Sequence, residues 1–274
     1  MTVSGAYGFR LSGLEDCAWL GVNRAAHWPE ISCRRDSRPG APEVSLEPAG
    51  TPGGLRLRVR SDVAHSELVH PLLGRVASHL ALAHGFDGMH AGAVAGSDGA
   101  WAVIGPKCAG KSTLLASLND AGVPIVTDDV LVFRDGVAMA GPRCIDLRPG
   151  TQRFGLGVAV RPGDPRNRIA LPPVAAEHPL AGLIHLEWSS GDPTMEALDH
   201  RDAIGRLLIL RNDRGYPRDP RALLDLAALP NVLLKRPRSM SRLDAATAEV
   251  ERLVSESREE SAGAARFLCG SSTA

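Results

Sequence analysis

Short runs of alternating apolar and polar residues, interrupted by Gly and Pro, fill the first 62 positions of the chain. Such alternation predicts antiparallel strands with one face in solvent. The runs cover residues 7–11, 18–22, 43–46 and 55–59. The stretch 36–54 is rich in Pro and Gly and predicts a loop. We therefore expect a small β-rich region over residues 1–62.

The pattern then changes to helical spacing. Leucine, valine and alanine recur every three or four residues from 65 to 84, and Gly85 stands where a helix C-cap belongs. Two apolar runs follow, 89–95 and 100–104, with a Gly/Asp turn between them, and this arrangement predicts a hairpin. The second run leads into a glycine-rich stretch, a helical segment at 113–118 and another apolar run at 123–127.

Strand, loop, helix and strand in this order predict a right-handed βαβ unit whose two strands are parallel neighbours. The remaining pattern predicts a hairpin over 130–140, a strand at 143–148 and a mobile loop over 149–179. It further predicts a buried strand at 180–188, helices at 200–211 and 219–229, a strand at 231–235 and a helix at 243–254. We expect one domain over 63–255 and a flexible tail over 256–274.

The glycine-rich stretch matches the phosphate-binding loop G-x-x-x-x-G-K-[ST]. Its residues are Gly105, Pro106, Lys107, Cys108, Ala109, Gly110, Lys111, Ser112 and Thr113. Glycines let successive N–H groups face phosphate oxygens, and the following helix adds its positive end. Lys111 would reach the β- and γ-phosphates, and the Ser112 hydroxyl would bind Mg²⁺. The alternative is a glycine turn that only caps a helix.

Two adjacent carboxylates, Asp128 and Asp129, end the strand after this helix. The carboxyl ends of parallel strands are where open α/β sheets bind ligands. We expect one aspartate to face Mg²⁺ and the other to face an acceptor hydroxyl. A turn-forming Asp pair is the alternative. Glu187, near the end of the strand at 180–188, could act as a second acidic group of this kind or be an ordinary strand-end glutamate.

Composition narrows the functional classes. The chain has 274 residues, 44% of them hydrophobic, and a formal net charge of +0. A balanced charge argues against a nucleic-acid or membrane partner, and no apolar run is long enough to span a bilayer. The N-terminus lacks the pattern of a signal peptide. The five cysteines are scattered, which favours free thiols in the cytoplasm over disulfides or zinc. Cys108, inside the loop, is either a small filler or an oxidisable thiol.

Three segments together resemble a known family. His90-Ala-Gly-Ala-Val, Gly105-Pro-Lys-Cys-Ala-Gly-Lys-Ser-Thr and Thr127-Asp-Asp are similar to the HPr kinase/phosphorylase superfamily of P-loop kinases. The resemblance covers about residues 86–135 and is nearest to the HPr-kinase-like proteins of bacterial peptide natural-product pathways, including lasso-peptide tailoring kinases. It implies an α/β fold with a P-loop core and a mixed sheet of the HPr kinase/PEP carboxykinase type, preceded by the β-rich region.

The resemblance also implies roles for single residues. Lys111 and Ser112 become the phosphate and Mg²⁺ groups, Asp128 the base for the acceptor hydroxyl, and Asp129 its neighbour at the metal. His90, which the pattern alone would make structural, becomes a catalytic residue. Lys107-Cys108-Ala109 departs from the family's Ser- and Gly-rich loop. Asp146 and Arg148 are candidates for the family's later acidic and arginine residues.

The expected function is therefore an ATP- and Mg²⁺-dependent kinase that transfers the γ-phosphoryl group to a Ser or Thr hydroxyl of a peptide or protein. A kinase of a small-molecule hydroxyl and a non-catalytic nucleotide-binding regulatory protein are the alternatives. The sequence is compatible with a homo-oligomer.

Overall fold

The computed structural model describes residues 2–23, 25–50, 54–155, 157–161, 163–210 and 220–256. Its strands are β1 (Thr2–Ala6), β2 (Phe9–Ser12), β3 (Gly21–Asn23), β4 (Glu30–Asp36), β5 (Val44–Pro48), β6 (Leu55–Arg60), β7 (Asp87–Met89), β8 (Gly92–Gly96), β9 (Gly99–Ile104), β10 (Ile125–Thr127), β11 (Leu131–Arg134), β12 (Val137–Met139), β13 (Cys144–Leu147), β14 (Val158–Ala159), β15 (Asn167–Ala170), β16 (Glu177–Trp188), β17 (Thr194–Ala197) and β18 (Asn231–Arg236). Its α-helices are α1 (His65–Glu67), α2 (Gly74–Ala83), α3 (Lys111–Asp120), α4 (His200–Leu210), α5 (Pro220–Ala228) and α6 (Leu243–Ser255).

The N-terminal strands form one sheet with the order β3-β1-β2-β4-β6-β5. The prediction of a purely antiparallel region was wrong, because β4 pairs in parallel with both β2 and β6. The sequence of β4, EISCRRD, lacks regular alternation of apolar and polar residues, so the pattern did not reveal this central strand. The predicted loop at 36–54 contains β5, which pairs with β6.

The predicted helix over 65–84 is present but uneven. A π-helical segment, Leu68–Leu73, separates α1 from α2. Pro71 lies in it and has no backbone N–H to donate, which gives a local reason for the wider turn. Leu57, Leu80 and Val132 belong to one apolar core. This core therefore includes residues on both sides of position 62, and the division of the chain at 62/63 stays a prediction.

The second sheet has the order β10-β8-β9-β16-β12-β11-β7, and β18 pairs with β16 while β17 pairs with β18. The predicted hairpins β8–β9 and β11–β12 are confirmed. The prediction that β9 and β10 are neighbours was wrong, because β8 lies between them and pairs antiparallel with each. β9 and β10 nevertheless run in the same direction. Their carboxyl ends therefore meet the same edge of the sheet.

The stretch 149–179 contains more structure than the predicted mobile loop. β14 and β15 lie within it and form a three-stranded sheet with β13, and β16 already begins at Glu177. In this sheet Asp146 on β13 is paired in register with Arg168 on β15. The loop prediction was wrong because the segment is rich in Pro and Gly, and the sequence of β15, NRIA, has no apolar run that would indicate a strand.

The C-terminal elements largely follow the pattern. The helices at 200–211 and 219–229 correspond to α4 and α5, although residues 211 and 219 lie outside the described residues. The predicted final strand and helix are β18 and α6, while β17 was not predicted. The expected tail, apart from Glu256, is also outside the description. Among the described helices, none combines the length and the apolar character that a membrane crossing requires. The fold is mixed α/β.

Candidate functional site

The glycine-rich loop connects the end of β9 to the start of α3, as the motif requires. Gly110 is the N-cap of α3 and has a φ of 81°, in the left-handed region that a glycine adopts without steric penalty. A Cβ at this position would also lie 2.6 Å from Arg236 Nη2 and 3.0 Å from the Trp188 ring. Position 110 therefore needs glycine for both its backbone conformation and its surroundings.

Lys111, the first residue of α3, is buried, with 7% of its surface exposed. Its Nζ donates hydrogen bonds to the carbonyl oxygens of Gly105, at 2.8 Å, and Pro106, at 3.5 Å. The ammonium group is thus folded back under the loop that precedes it. Lys107 and Cys108, in contrast, are exposed on the loop.

The acidic pair lies beside this loop. The Ser112 hydroxyl donates a hydrogen bond of 3.1 Å to Asp128 Oδ1. Asp129 has a φ of 67°, a left-handed conformation that aspartate tolerates better than most residues. The two adjacent side chains therefore have different neighbours, and the Asp128 side chain is the one that contacts Ser112, directly after the glycine-rich loop.

His90 contacts Asp129. Its Nδ1 lies 2.8 Å from the Asp129 carbonyl oxygen and 3.3 Å from Asp129 Oδ1. A proton on Nδ1 would be donated to these oxygens, which leaves Nε2 as the acceptor nitrogen of the neutral ring. The strand predicted over 89–95 begins only at Gly92, and His90 lies in the break between β7 and β8, where the chain passes from pairing with β11 to pairing with β9.

Arg143 fixes the end of β10 and thereby the acidic pair. It is buried, and its guanidinium donates to the carbonyl oxygens of Val126, at 3.0 Å, and Pro172, at 2.9 Å. Burial lowers the pKa of Arg143 to about 10. Gly141 donates its N–H to the same Val126 oxygen at 2.9 Å, and a Cβ on Gly141 would lie 2.0 Å from Thr127 Oγ1.

Arg236 supports the loop from the opposite side and lies over Trp188, and neither residue was predicted from the sequence. Arg236 is buried, and its Nη2 donates to the carbonyl oxygens of Ala109 and Gly110, each at 3.0 Å. Its guanidinium lies over the Trp188 ring, 4.5 Å from the centroid. Burial lowers the pKa of Arg236 to about 10. The sequence offered one indication of their role: both residues lie at the ends of strands that run parallel to β9.

Glu187 has a different environment. Its carboxylate accepts a hydrogen bond of 2.7 Å from Arg206 on α4. Successive side chains of a strand point to opposite faces of the sheet. Trp188 faces the cleft, so Glu187 points away from it. Of the two interpretations of Glu187, this placement favours an ordinary strand-end residue.

The glycine-rich loop, the acidic pair, His90, Trp188 and Arg236 line one cleft of about 1210 Å³. Its lining comprises His90, residues 107–113, Asp128, Asp129, residues 146–151, residues 164–166, Trp188, Arg236, residues 238–240 and Leu243. The predicted residues from β7–β8, the loop, α3 and the end of β10 are thus brought together. Gly105 and Pro106 contribute through the carbonyl oxygens that hold Lys111.

Another part of the cleft wall comes from the small sheet, whose strand β13 packs against α3. There Asp146 is held by Arg168 through two hydrogen bonds of 2.6 and 2.8 Å, with both side chains buried. Asp164 binds Arg166 in the same two-pronged way, and the guanidinium holds the pKa of Asp164 well below its usual range. Asp146 is therefore committed to an ion pair, while Arg148 is exposed at the rim.

The oxygen atoms at the end of the loop suit Mg²⁺. This ion is commonly held by one or two carboxylates together with substrate phosphates and water, and not by a full set of protein ligands. The Ser112 hydroxyl and the Asp128 carboxylate are adjacent and provide donors of this kind. No cluster of three or more His, Cys, Asp or Glu residues suited to a metal occurs in the described part of the chain. The chemistry of these two residues therefore fits a magnesium ion.

No protein-family model matches the chain, and no curated protein matches it in sequence. Among solved structures, the chain is similar to the Hpr(Ser) kinase/phosphatase from Coxiella burnetii. The sequence identity is 15% and the TM-score is 0.34, and the match covers 61% of this chain and 97% of that one.

Proposed function

We propose that this protein is a P-loop kinase of the HPr-kinase-like type, which transfers the γ-phosphoryl group of ATP to a Ser or Thr hydroxyl of a peptide or protein. The observation that carries this proposal is the contact between Ser112 and Asp128, at 3.1 Å. It joins the phosphate loop to an acidic pair at the same edge of the sheet. A loop that only capped a helix would need no such partner.

The nucleotide part of the proposal rests on the loop and Lys111. Loop N–H groups and the N-terminal end of α3 attract phosphate oxygens. Lys111 now donates to the Gly105 carbonyl oxygen. With a nucleotide in place, its ammonium would exchange this partner for phosphate oxygens. Such groups lower the barrier by positioning the reactants and neutralising charge.

The two aspartates would divide the remaining work. The sequence predicted Asp128 as the base and Asp129, with Ser112, as the metal ligand. The contacts favour the opposite division, because Ser112 bonds to Asp128 while His90 contacts Asp129. We propose that Ser112 and Asp128 hold Mg²⁺, which neutralises phosphate charge when bound. Asp129, oriented by His90, would accept the proton of the acceptor hydroxyl.

The size of the cleft favours a second substrate. Sites for a single small ligand usually enclose about 300–1,000 Å³. The volume of about 1210 Å³ exceeds this range and leaves room for an acceptor beside a nucleotide. A small-molecule hydroxyl remains the second candidate acceptor, since the same cleft would admit it.

The test is to incubate the protein with ATP, Mg²⁺ and two acceptor panels, Ser/Thr peptides and small hydroxyl metabolites. Phosphorylated acceptor is measured by mass spectrometry and ADP by a coupled assay. We expect a phosphopeptide in equal amount to ADP. If only the metabolites were phosphorylated, the acceptor would be a small molecule and not a peptide. Formation of ADP without any phosphorylated acceptor would contradict the proposed kinase activity. Binding of ATP without formation of ADP would contradict it as well.

Asp128→Asn and Asp129→Asn test the division of labour. Asp129→Asn should retain Mg²⁺-dependent ATP binding and lose transfer by about 10²- to 10⁴-fold, the usual contribution of a general base. Asp128→Asn should instead weaken the Mg²⁺ dependence of ATP binding. The reverse result would restore the assignment predicted from the sequence.

A further inference from the structure

Two exposed apolar side chains line the cleft at the end away from the acidic pair. Trp188 has 37% of its surface exposed and Met240 has 36%. Leu243 lies beside them in the lining and is buried. Exposed apolar surface inside a cleft that is otherwise rich in charged groups indicates a position for an apolar part of a ligand.

The sheet order places these residues relative to the phosphate loop. β9, which leads into the loop, lies between β8 on one side and β16 on the other, and β18 follows β16. Asp128 directly follows β10, which lies beyond β8. Trp188 ends β16, and Met240 belongs to the 3-10 turn that follows β18. A ligand whose phosphates occupy the loop would therefore have one end near Asp128 and the other near Trp188.

We propose that Trp188 and Met240 form the nucleobase subsite of this cleft. Arg236 covers one face of the indole, and the base would stack on the other, against the apolar wall that includes Met240. Stacking depends on the flat π-face that every base has, so it discriminates weakly between bases. The inference rests on the nucleotide part of the proposed function but not on phosphoryl transfer.

The experiment measures binding in the absence of an acceptor, by calorimetry with Mg²⁺. ATP is compared with inorganic tripolyphosphate, which has the phosphates but no base. Trp188→Ala should weaken ATP binding by about 5- to 150-fold, the usual effect of removing a stacking ring. It should change tripolyphosphate binding by less than about two-fold. Trp188→Phe should retain most of the ATP affinity, and GTP should bind the wild type within about ten-fold of ATP.

Leu224→Ala is the matched control, because Leu224 is also an exposed apolar residue, at 57%, but lies on α5 outside the cleft lining. It should change neither affinity. Met240→Ser tests the other apolar side chain of the subsite without altering the packing of Trp188 on Gly110. It should also weaken the binding of ATP but not that of tripolyphosphate.

The inference is overturned if Trp188→Ala weakens both ligands equally, since the ring would then only support the loop. It is overturned as well if both Trp188→Ala and Met240→Ser leave ATP binding unchanged. Failure of the wild type to bind ATP and tripolyphosphate would remove the nucleotide part of the proposed function and this subsite together. A selective effect on ATP without acceptor phosphorylation would leave the subsite in place and reject only the kinase.

Discussion

Lys107 and Lys111 belong to the same loop but have opposite surroundings. Lys111 is buried and bonded to the Gly105 carbonyl oxygen, whereas Lys107 is exposed. Lys111→Ala should weaken ATP binding by at least about 10²-fold, because a buried charged hydrogen-bond donor is removed from the phosphates. Lys107→Ala should weaken it by less than about ten-fold. Calorimetry on both variants, with unfolding curves as a check on the fold, would refute the assignment if the two losses were equal.

Arg236 offers a second prediction for a single residue. Arg236→Ala removes two hydrogen bonds from the loop carbonyl oxygens and should raise the KM for ATP by about 10- to 100-fold. The kcat should change much less, since Arg236 is far from the acidic pair in the sheet order. Arg236→Lys should recover part of the loss, because lysine donates a hydrogen bond but cannot reproduce the planar contact with Trp188.

An equal fall of kcat in Arg236→Ala and Arg236→Lys, with KM unchanged, would contradict a positioning role.

The sequence motif identified Lys111 and Ser112 because their spacing is local. It could not identify Arg236, which follows the loop by more than a hundred positions and reaches it only through the pairing of β9, β16 and β18.

At the scale of elements, the pairing of β16 with β18 buries a histidine. His185 on β16 lies with its Nε2 2.8 Å from Asn231 Oδ1, and its Nδ1 is buried without a hydrogen-bond partner. The Asn231 amide nitrogen donates to the carbonyl oxygen of Leu229 at 2.7 Å. The Asn231 oxygen must therefore accept from His185, so the neutral ring has its proton on Nε2.

This arrangement predicts a pH-dependent stability. Burial, assisted by the nearby Arg206 charge, lowers the pKa of His185 from 6.5 to about 4. Between pH 6.5 and 4 the unfolded chain binds a proton that the folded chain does not bind. The free energy of unfolding should therefore fall as the pH falls through this window, by about 3 kcal/mol for this group.

Urea unfolding at a series of pH values checks the expectation, with His185→Gln as the matched variant. Glutamine can still donate to Asn231 but does not titrate, so the slope between pH 6.5 and 4 should become shallower. An unchanged slope would show that His185 is not the responsible group.

The apolar pattern identified β16 and β18 as strands, but not their parallel pairing, on which the burial of His185 depends.

At the scale of the whole molecule, Arg168 connects three parts of the fold. It binds Asp146 within the small sheet, donates to the Ser66 carbonyl oxygen in α1, and lies 5.6 Å from the centroid of the Trp19 ring. The wall of the cleft that contains Asp146 is thereby tied to the N-terminal region. The ion pair also joins β13 to β15, whose pairing gives residues 149–179 more structure than their composition predicts.

Arg168→Met should lower the free energy of unfolding by about 3–5 kcal/mol, because Asp146 would be left as a buried charge without its partner. The double variant Asp146→Leu with Arg168→Met should recover most of this loss. Arg252→Ala, at an exposed ion pair on α6, is the control and should change stability by less than about 1 kcal/mol. A similar effect of Arg168→Met and Arg252→Ala in chemical denaturation would reject the connecting role.

The sequence by itself determined the features that are local along the chain: the loop of residues 105–113, the helix after it, the hairpins, and Asp128 and Asp129 at the end of a strand. The sequence signals of these features lie within a few residues of one another. They are the periodicity of apolar residues in helices and strands, the backbone conformations that glycine allows, and the spacing of the motif. Only the tertiary structure decided that β8 separates β9 from β10, that Asp128 meets Ser112 while Asp129 meets His90, and that Trp188 and Arg236 close the other end of the cleft. These contacts join residues that are far apart along the chain. They depend on strand pairing and burial, which no local sequence pattern encodes.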